Sequence, residues 1–136
     1  MLKNGGGSIV NTASVAGLQG LPTAPAYVAA KHGVAGLTKT AALEFAQRAI
    51  RINAVCPGFV RTPLVDRCLD KGAFSEEQIL AAEPMHRMGN PEEIAEAVLW
   101  LCSDAPSFVT GLPMAVDGGY VAQQEARLRR SIRAVI

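Results

Sequence analysis

Residues 7–31 read GSIVNTASVAGLQGLPTAPAYVAAK, and this stretch decides the fold class. Ser8 to Ala13 is a short run of small and β-branched residues, the composition of a buried strand. Leu18 to Pro25 carries glycine and two prolines and reads as a loop. Thr23 stands where an N-cap belongs, with Pro25 in the first helical turn. The helix that follows is expected to run to about Gln47. Its expected buried stripe is Ala30, Val34, Leu37, Ala41 and Phe45, at steps of three and four. A second stripe, Ala29, Gly33, Gly36 and Thr40, is made of small residues. Two interior glycines cost roughly 1 kcal/mol each against alanine, so close approach by another helix, as at a subunit contact, is the expected reason for them.

Within the same stretch Tyr27 and Lys31 stand four residues apart, which places both on one helix face. Ser14 lies thirteen residues before the tyrosine. A free phenol titrates near pH ~10, too high for proton transfer at neutral pH. An adjacent ammonium favours the phenolate. A shift of two or three units corresponds to roughly 3 to 4 kcal/mol, which one partly desolvated charge contact can supply. A tyrosine so placed can act as general acid or base. Ser14 follows the carboxyl end of a strand, where open α/β sheets place their ligands.

Outward from this stretch, Gly5 to Gly7 form a turn ahead of the first strand. Arg51 to Val55 is a second strand, stopped by Pro57-Gly58. Val60 to Met88 is irregular in pattern, with one short helix expected from Ser75 to Ala82. Asn90 caps a further helix that carries Pro91, Glu92 and Glu93 in its first turn, where the helix dipole favours acidic groups. Its expected core stripe is Ile94, Val98, Leu101 and Cys102. A third strand, about Leu112 to Val116, stops at Asp117-Gly118-Gly119. Strand, helix, strand, helix, strand is the order of a parallel sheet with right-handed crossovers.

Taken together, GSIVNTASVAG (Gly7 to Gly17), AYVAAK (Ala26 to Lys31), INAVCPGFVRTP (Ile52 to Pro63), RMGNPEEIAEAVLWLCSD (Arg87 to Asp104) and FVTGLPMAVDGGY (Phe108 to Tyr120) closely resemble the short-chain dehydrogenase/reductase family. The resemblance covers about Gly5 to Tyr120. It implies an α/β fold: a partial Rossmann-like, doubly wound parallel sheet, the last three strands with their helices. It implies an NAD(P)-dependent oxidoreductase acting on a secondary alcohol or carbonyl, with NAD or NADP as cofactor. By match, Tyr27 exchanges a proton with the substrate oxygen. Lys31 lowers the tyrosine pKa and hydrogen-bonds the nicotinamide ribose, and Ser14 orients the substrate oxygen. Pro57, Gly58, Val60 and Thr62 match the segment that holds the nicotinamide carboxamide. Leu64 to Met88 corresponds to the variable substrate loop.

The chain departs from that family at its start. It has no G-x-x-x-G-x-G and no G-x-G-x-x-G to cradle a pyrophosphate, and the Asn-Asn-Ala-Gly motif with its fourth catalytic residue is absent. The expectation is therefore a C-terminal half, residues 1–120, with the strand at Ser8 exposing an unpaired edge through which chains associate. Residues 121–136 are expected to form an arginine-rich amphipathic tail, with Arg127, Arg129, Arg130 and Arg133 beside Leu128 and Ile132. The alternative reading is a non-catalytic remnant or interaction module that binds no dinucleotide; a third is a membrane-surface fragment using the tail.

Composition agrees with this class. Of 136 residues, 49% are hydrophobic and only 5% aromatic, so the interior is aliphatic, as suits strands covered on both faces. A net charge of +1 with no basic stripe gives no case for nucleic acid. No stretch approaches the length of a membrane span. Cys56, Cys68 and Cys102 have neither a disulfide framework nor metal-ligand spacing and read as reduced thiols of a cytoplasmic protein. The expected partners are a small alcohol or carbonyl substrate and further copies of the chain, joined through the helix that bears Tyr27 and Lys31. His32 and His86 do not form a pair and are assigned to solvent or packing.

Overall fold

The computed structural model describes residues 1–123. Three parallel strands, β1 (Gly7–Thr12), β2 (Ile50–Pro57) and β3 (Pro113–Val116), form one sheet in the order β1-β2-β3. The helix α1 (Pro25–Phe45) connects β1 to β2; α2 (Pro63–Asp70), α3 (Glu76–Ala82) and α4 (Pro91–Cys102) connect β2 to β3. The expected α/β class and the alternation of parallel strands with helices hold. Thr12 pairs with Val55 and Pro57 with Val116, so the carboxyl ends of all three strands share one edge of the sheet.

The central strand is buried nearly end to end, and its side chains divide between two layers because successive residues point to opposite faces. Ile50 and Ile52 pack with Ala41, Ala42 and Phe45 of α1, and Ala54 and Cys56 with Ala13, Leu18 and Val34. On the other face, Arg51 donates from Nη2 to the Ser103 carbonyl just past α4 (2.7 Å). Asn53, fully buried, donates to the Val109 carbonyl (3.0 Å) and accepts from the Leu112 amide (3.0 Å). Ser8 donates to the Leu101 carbonyl of α4 (2.9 Å). The sheet is thus clasped between α1 and α4, as hydrophobic runs without alternation require.

Four local expectations are corrected. Thr23 is not the N-cap of α1: it lies in the left-handed region (φ 67) and Ala24 takes the cap position with no side-chain hydrogen bond. Pro25 fixes the first helical φ by itself, which lets the helix start without a polar cap. Of the expected stripe of α1, Val34, Ala41 and Phe45 pack against the sheet, but the fully buried positions are Ala35, Thr38 and Ala42, and Ala30 and Leu37 are exposed, Leu37 by 64%. Thr38 can go inside because its hydroxyl donates to the Val34 carbonyl (2.8 Å) and accepts from Asn11 Nδ2 (2.9 Å); a buried polar group with both roles filled carries little penalty. The segment from Val60 to Met88 holds a second helix, α2, capped by Thr62, whose Oγ1 accepts from the Val65 amide, with Pro63 at the first position. In α4 the inward residues are Ile94, Ala97, Val98 and Leu101; Cys102 is exposed.

The expected starts of two helices hold. Ser75 caps α3 in a reciprocal capping box with Gln78, and α4 follows Asn90 with its acidic first turn. The small-residue stripe Ala29, Gly33, Gly36 and Thr40 is exposed along its length, so nothing among the described residues packs closely there. No described helix is long and apolar enough to cross a membrane. The arginine-rich tail expected within residues 121–136 lies, from residue 124 on, outside the described residues.

Candidate active site

The carboxyl edge of the sheet collects the residues singled out in the sequence. Ser14 follows β1 by two residues, is 8% exposed and stands in extended backbone (φ −177, ψ 164). Its Oγ accepts the Ala16 amide N–H at 3.1 Å, leaving the hydroxyl proton to donate elsewhere. Tyr27 and Lys31 lie in the first two turns of α1. The Lys31 ammonium stands 5.7 Å from the centre of the Tyr27 ring and donates to the Thr12 carbonyl at the end of β1 (3.1 Å). That bond ties the start of the helix to the strand end from which Ser14 projects. Tyr27 itself is 46% exposed, so its ring is open to an incoming molecule.

Close backbone packing holds α1 in this place. A Cβ added to Gly17 would lie 2.6 Å from the Lys31 carbonyl oxygen, so the turn after Ser14 and the second turn of α1 touch main chain to main chain. Below Ser14, Cys56 is wholly buried and burial pushes its thiol pKa up, which keeps it a neutral packing group.

The loop after β2 forms the opposite border. Gly58 donates to the Val116 carbonyl (3.1 Å), and a Cβ on it would meet Asp117 Cα at 2.9 Å. Val60 is buried and forms a parallel bridge with Gly89: Gly89 N donates to Phe59 O and Arg61 N to Gly89 O, both 2.9 Å. Thr62 begins α2 and keeps its hydroxyl proton free while its oxygen caps the helix. Arg61 pairs with Glu76 and with Asp66 (3.5 Å), tying this loop to α3 and α2. Arg87 forms a two-pronged pair with Glu93 (2.6 and 2.8 Å), and together with the Asn90 amide it holds the Glu93 carboxyl down at about 2.

Two features of this edge escape a reading of the sequence. One is the Lys31 bond to a main-chain carbonyl, which no residue pattern marks. The other is Glu83, an acidic residue 2% exposed at the end of α3, whose Oε1 accepts the Phe59 amide at 3.3 Å. Burial pushes the Glu83 carboxyl up; the Phe59 N–H opposes the rise and Asp117 adds to it. A cleft of about 350 Å³ is lined by Phe59, Glu83, Met85, Asp117, Gly118 and Gly119, and none of Ser14, Tyr27 or Lys31 borders it.

A family model described as enoyl-(acyl carrier protein) reductase matches residues 1–121. The chain belongs to the short-chain dehydrogenase/reductase family. It is 51% identical over 123 residues to the cyclohexanol dehydrogenase of Acinetobacter sp. strain SE19, covering 90% of this chain and 47% of that protein. It is 47% identical over 121 residues to the 3-oxoacyl-[acyl-carrier-protein] reductase of Thermotoga maritima, covering 89% and 48%. Among solved structures, levodione reductase superposes with a TM-score of 0.84 at 41% identity, covering 90% of this chain and 49% of that one. ElxO with NADP bound superposes with a TM-score of 0.83 at 41% identity, covering 90% and 50%. The chain spans about half the length of these relatives.

Proposed function

We propose that this chain carries the catalytic half of an NAD(P)-dependent oxidoreductase that interconverts a secondary alcohol and its carbonyl. The observation that supports it best is the Lys31 ammonium, 5.7 Å from the Tyr27 ring centre and bonded to the Thr12 carbonyl, two residues before the Ser14 hydroxyl. In this reading Tyr27 Oη takes the alcohol proton during oxidation and returns it during reduction. Ser14 donates its hydroxyl proton to the substrate oxygen, held in orientation by the Ala16 amide. Lys31 keeps a positive charge beside the phenol as the proton moves. Among the relatives, one is named for a cyclic secondary alcohol and one for a 3-oxoacyl group; both names fit this pair of functional groups.

The donors at the sheet edge suit the nicotinamide end of a dinucleotide. Lys31 would hold the ribose, and Thr62, with its free hydroxyl proton, the carboxamide, flanked by Pro57, Gly58 and Val60. When bound, the nicotinamide accepts or supplies the hydride at the carbon that bears the substrate oxygen. NADP is the cofactor printed for the ElxO structure, and NAD or NADP is proposed here. Self-association through the exposed small-residue face of α1 and a cytoplasmic location belong to the same proposal; the first is supported by Gly33 and Gly36, where an added Cβ meets nothing within 4 Å.

The test is a titration of the purified chain with NADH and NADPH, followed by nicotinamide fluorescence, then turnover of cyclic and acyclic secondary alcohols. Saturable binding with turnover supports the enzyme. No saturation with either dinucleotide turns the assignment to the non-catalytic module.

A further inference from the structure

A carboxyl group buried to 2% exposure is an expensive way to satisfy a single amide, since carboxylates are rarely buried without paired charges. Glu83 does so between three segments. Its Oε1 accepts the Phe59 N–H, and its Oε2 is buried with no hydrogen-bond partner. A Cβ on Gly118 would stand 3.4 Å from that Oε2, so the turn after β3 closes over it. Phe59 is gripped from other sides too: its ring meets those of Phe74 (5.6 Å) and Tyr120 (6.1 Å) edge to face, and its carbonyl accepts from Gly89.

We propose that Glu83 is a positioning residue that fixes Phe59 and thereby sets the course of the loop from Pro57 to Thr62. The inference rests on reading that loop as the nicotinamide-binding segment. Gly58 and Val60 flank Phe59 on either side. A Phe59 amide released from Glu83 would let the peptide planes at 58 and 60 turn, and with them the groups offered at the sheet edge. Because the contact comes from α3, the segment that varies with substrate in this reading also sets the cofactor loop.

Two variants separate this role from a general loss of stability. Glu83→Leu removes the acceptor; Glu83→Gln keeps a carbonyl acceptor of the same size. Amide hydrogen exchange, resolved by residue in the full chain, is expected to quicken at Phe59 at least tenfold in Glu83→Leu. Exchange at Ala54, whose amide bonds the Leu112 carbonyl in the middle of the sheet, should stay within twofold. Glu83→Gln should restore Phe59 to within twofold of the parent. Unchanged exchange at Phe59 in Glu83→Leu, or equal quickening at Phe59 and Ala54 in both variants, overturns the positioning role. If Glu83→Leu fails to fold, Glu83→Ala, which also removes the acceptor, decides: quickening at Phe59 without matching quickening at Ala54 supports the proposal, and unchanged protection at Phe59 overturns it. NADPH titration is the second arm. About tenfold weaker binding in Glu83→Leu, recovered in Glu83→Gln, supports the link to the cofactor loop, and unchanged affinity overturns that link. A parent chain that shows no saturation overturns the reading of the loop instead, and the exchange comparison still decides what Glu83 does.

Discussion

Gly17 and Lys31 meet backbone to backbone: a methyl group at position 17 would sit 2.6 Å from the Lys31 carbonyl oxygen and 3.0 Å from its carbon. Gly17 is buried, so a side chain there has no route to solvent. Replacing it by alanine must push the second turn of α1 away from the strand end. Overpacking of this kind costs about 1–3 kcal/mol. Gly17→Ala should lower the stability of the chain by that amount in urea unfolding. It should also lengthen the bond from the Lys31 ammonium to Thr12. Stability within ~0.5 kcal/mol of the parent, the range of a neutral substitution, would show that helix and turn can part freely.

The phenol of Tyr27 offers a cleaner separation of chemistry from folding. Its ring is 46% exposed and supports no core cluster. Tyr27→Phe should therefore change stability by no more than about 0.5 kcal/mol. A positioned acid or base contributes typically ~10² to 10⁴ in rate, so turnover of a secondary alcohol should fall by at least that lower factor. Steady-state rates measured beside a thermal melt check both halves. Retained turnover would remove Tyr27 from the proton-transfer role.

The three strands and their alternation with helices are legible because apolar runs, punctuated by Pro-Gly and Asp-Gly-Gly, carry their own signal. The phase of α1 is not. Hydropathy favoured Leu37 for the interior, whereas the buried position belongs to Thr38, which Asn11 and the Val34 carbonyl satisfy. A polar residue with a distant partner cannot be ranked by local pattern. Thr23 fails for a related reason: a threonine two residues ahead of a proline resembles a cap, yet tertiary placement of the loop turns it to φ 67. Helix α2 had a usable signal in Thr62-Pro63 with Asp66 in the first turn, hidden among residues of mixed polarity. At the site, Ser14, Tyr27 and Lys31 are marked by the family resemblance of the motifs that carry them; Glu83 lies in no such motif, and its partner is an amide 24 residues away.

That buried acid gives the protein a pH signature of definite sign. Burial raises the Glu83 pKa in the folded chain above its ordinary 4.5, so the native state holds its proton more tightly than the unfolded one. The stabilisation is fully present below the unfolded value and is lost as pH rises through the folded value. The charged groups around it are Asp117 from the β3 turn, which acts in the same direction, and the Arg87–Glu93 pair lining the same cleft. Thermal midpoints from about pH 4 to pH 8 should decline for the parent relative to Glu83→Gln, which cannot ionise. Parallel curves for the two proteins would mean that Glu83 is ionised and accommodated in the fold.

The outer side of β1 is the last consequence of the sheet order. β1 pairs with β2 alone, and among the described residues no strand covers its other edge. Ile9 on that strand is 37% exposed. Alternate residues of this six-residue strand turn their N–H and C=O groups away from β2, and such a row is a template for another strand, which proteins usually blunt with charge, proline or a covering segment. None of these stands within Gly7–Thr12. The 136-residue chain should therefore self-associate at micromolar concentration in sedimentation velocity. Ile9→Lys places a charge on the edge and should weaken association at least tenfold, which corresponds to ~1.4 kcal/mol. A parent chain that sediments as a single monomer, or an Ile9→Lys chain that associates as strongly as the parent, would assign self-association to a surface other than this edge or deny it altogether.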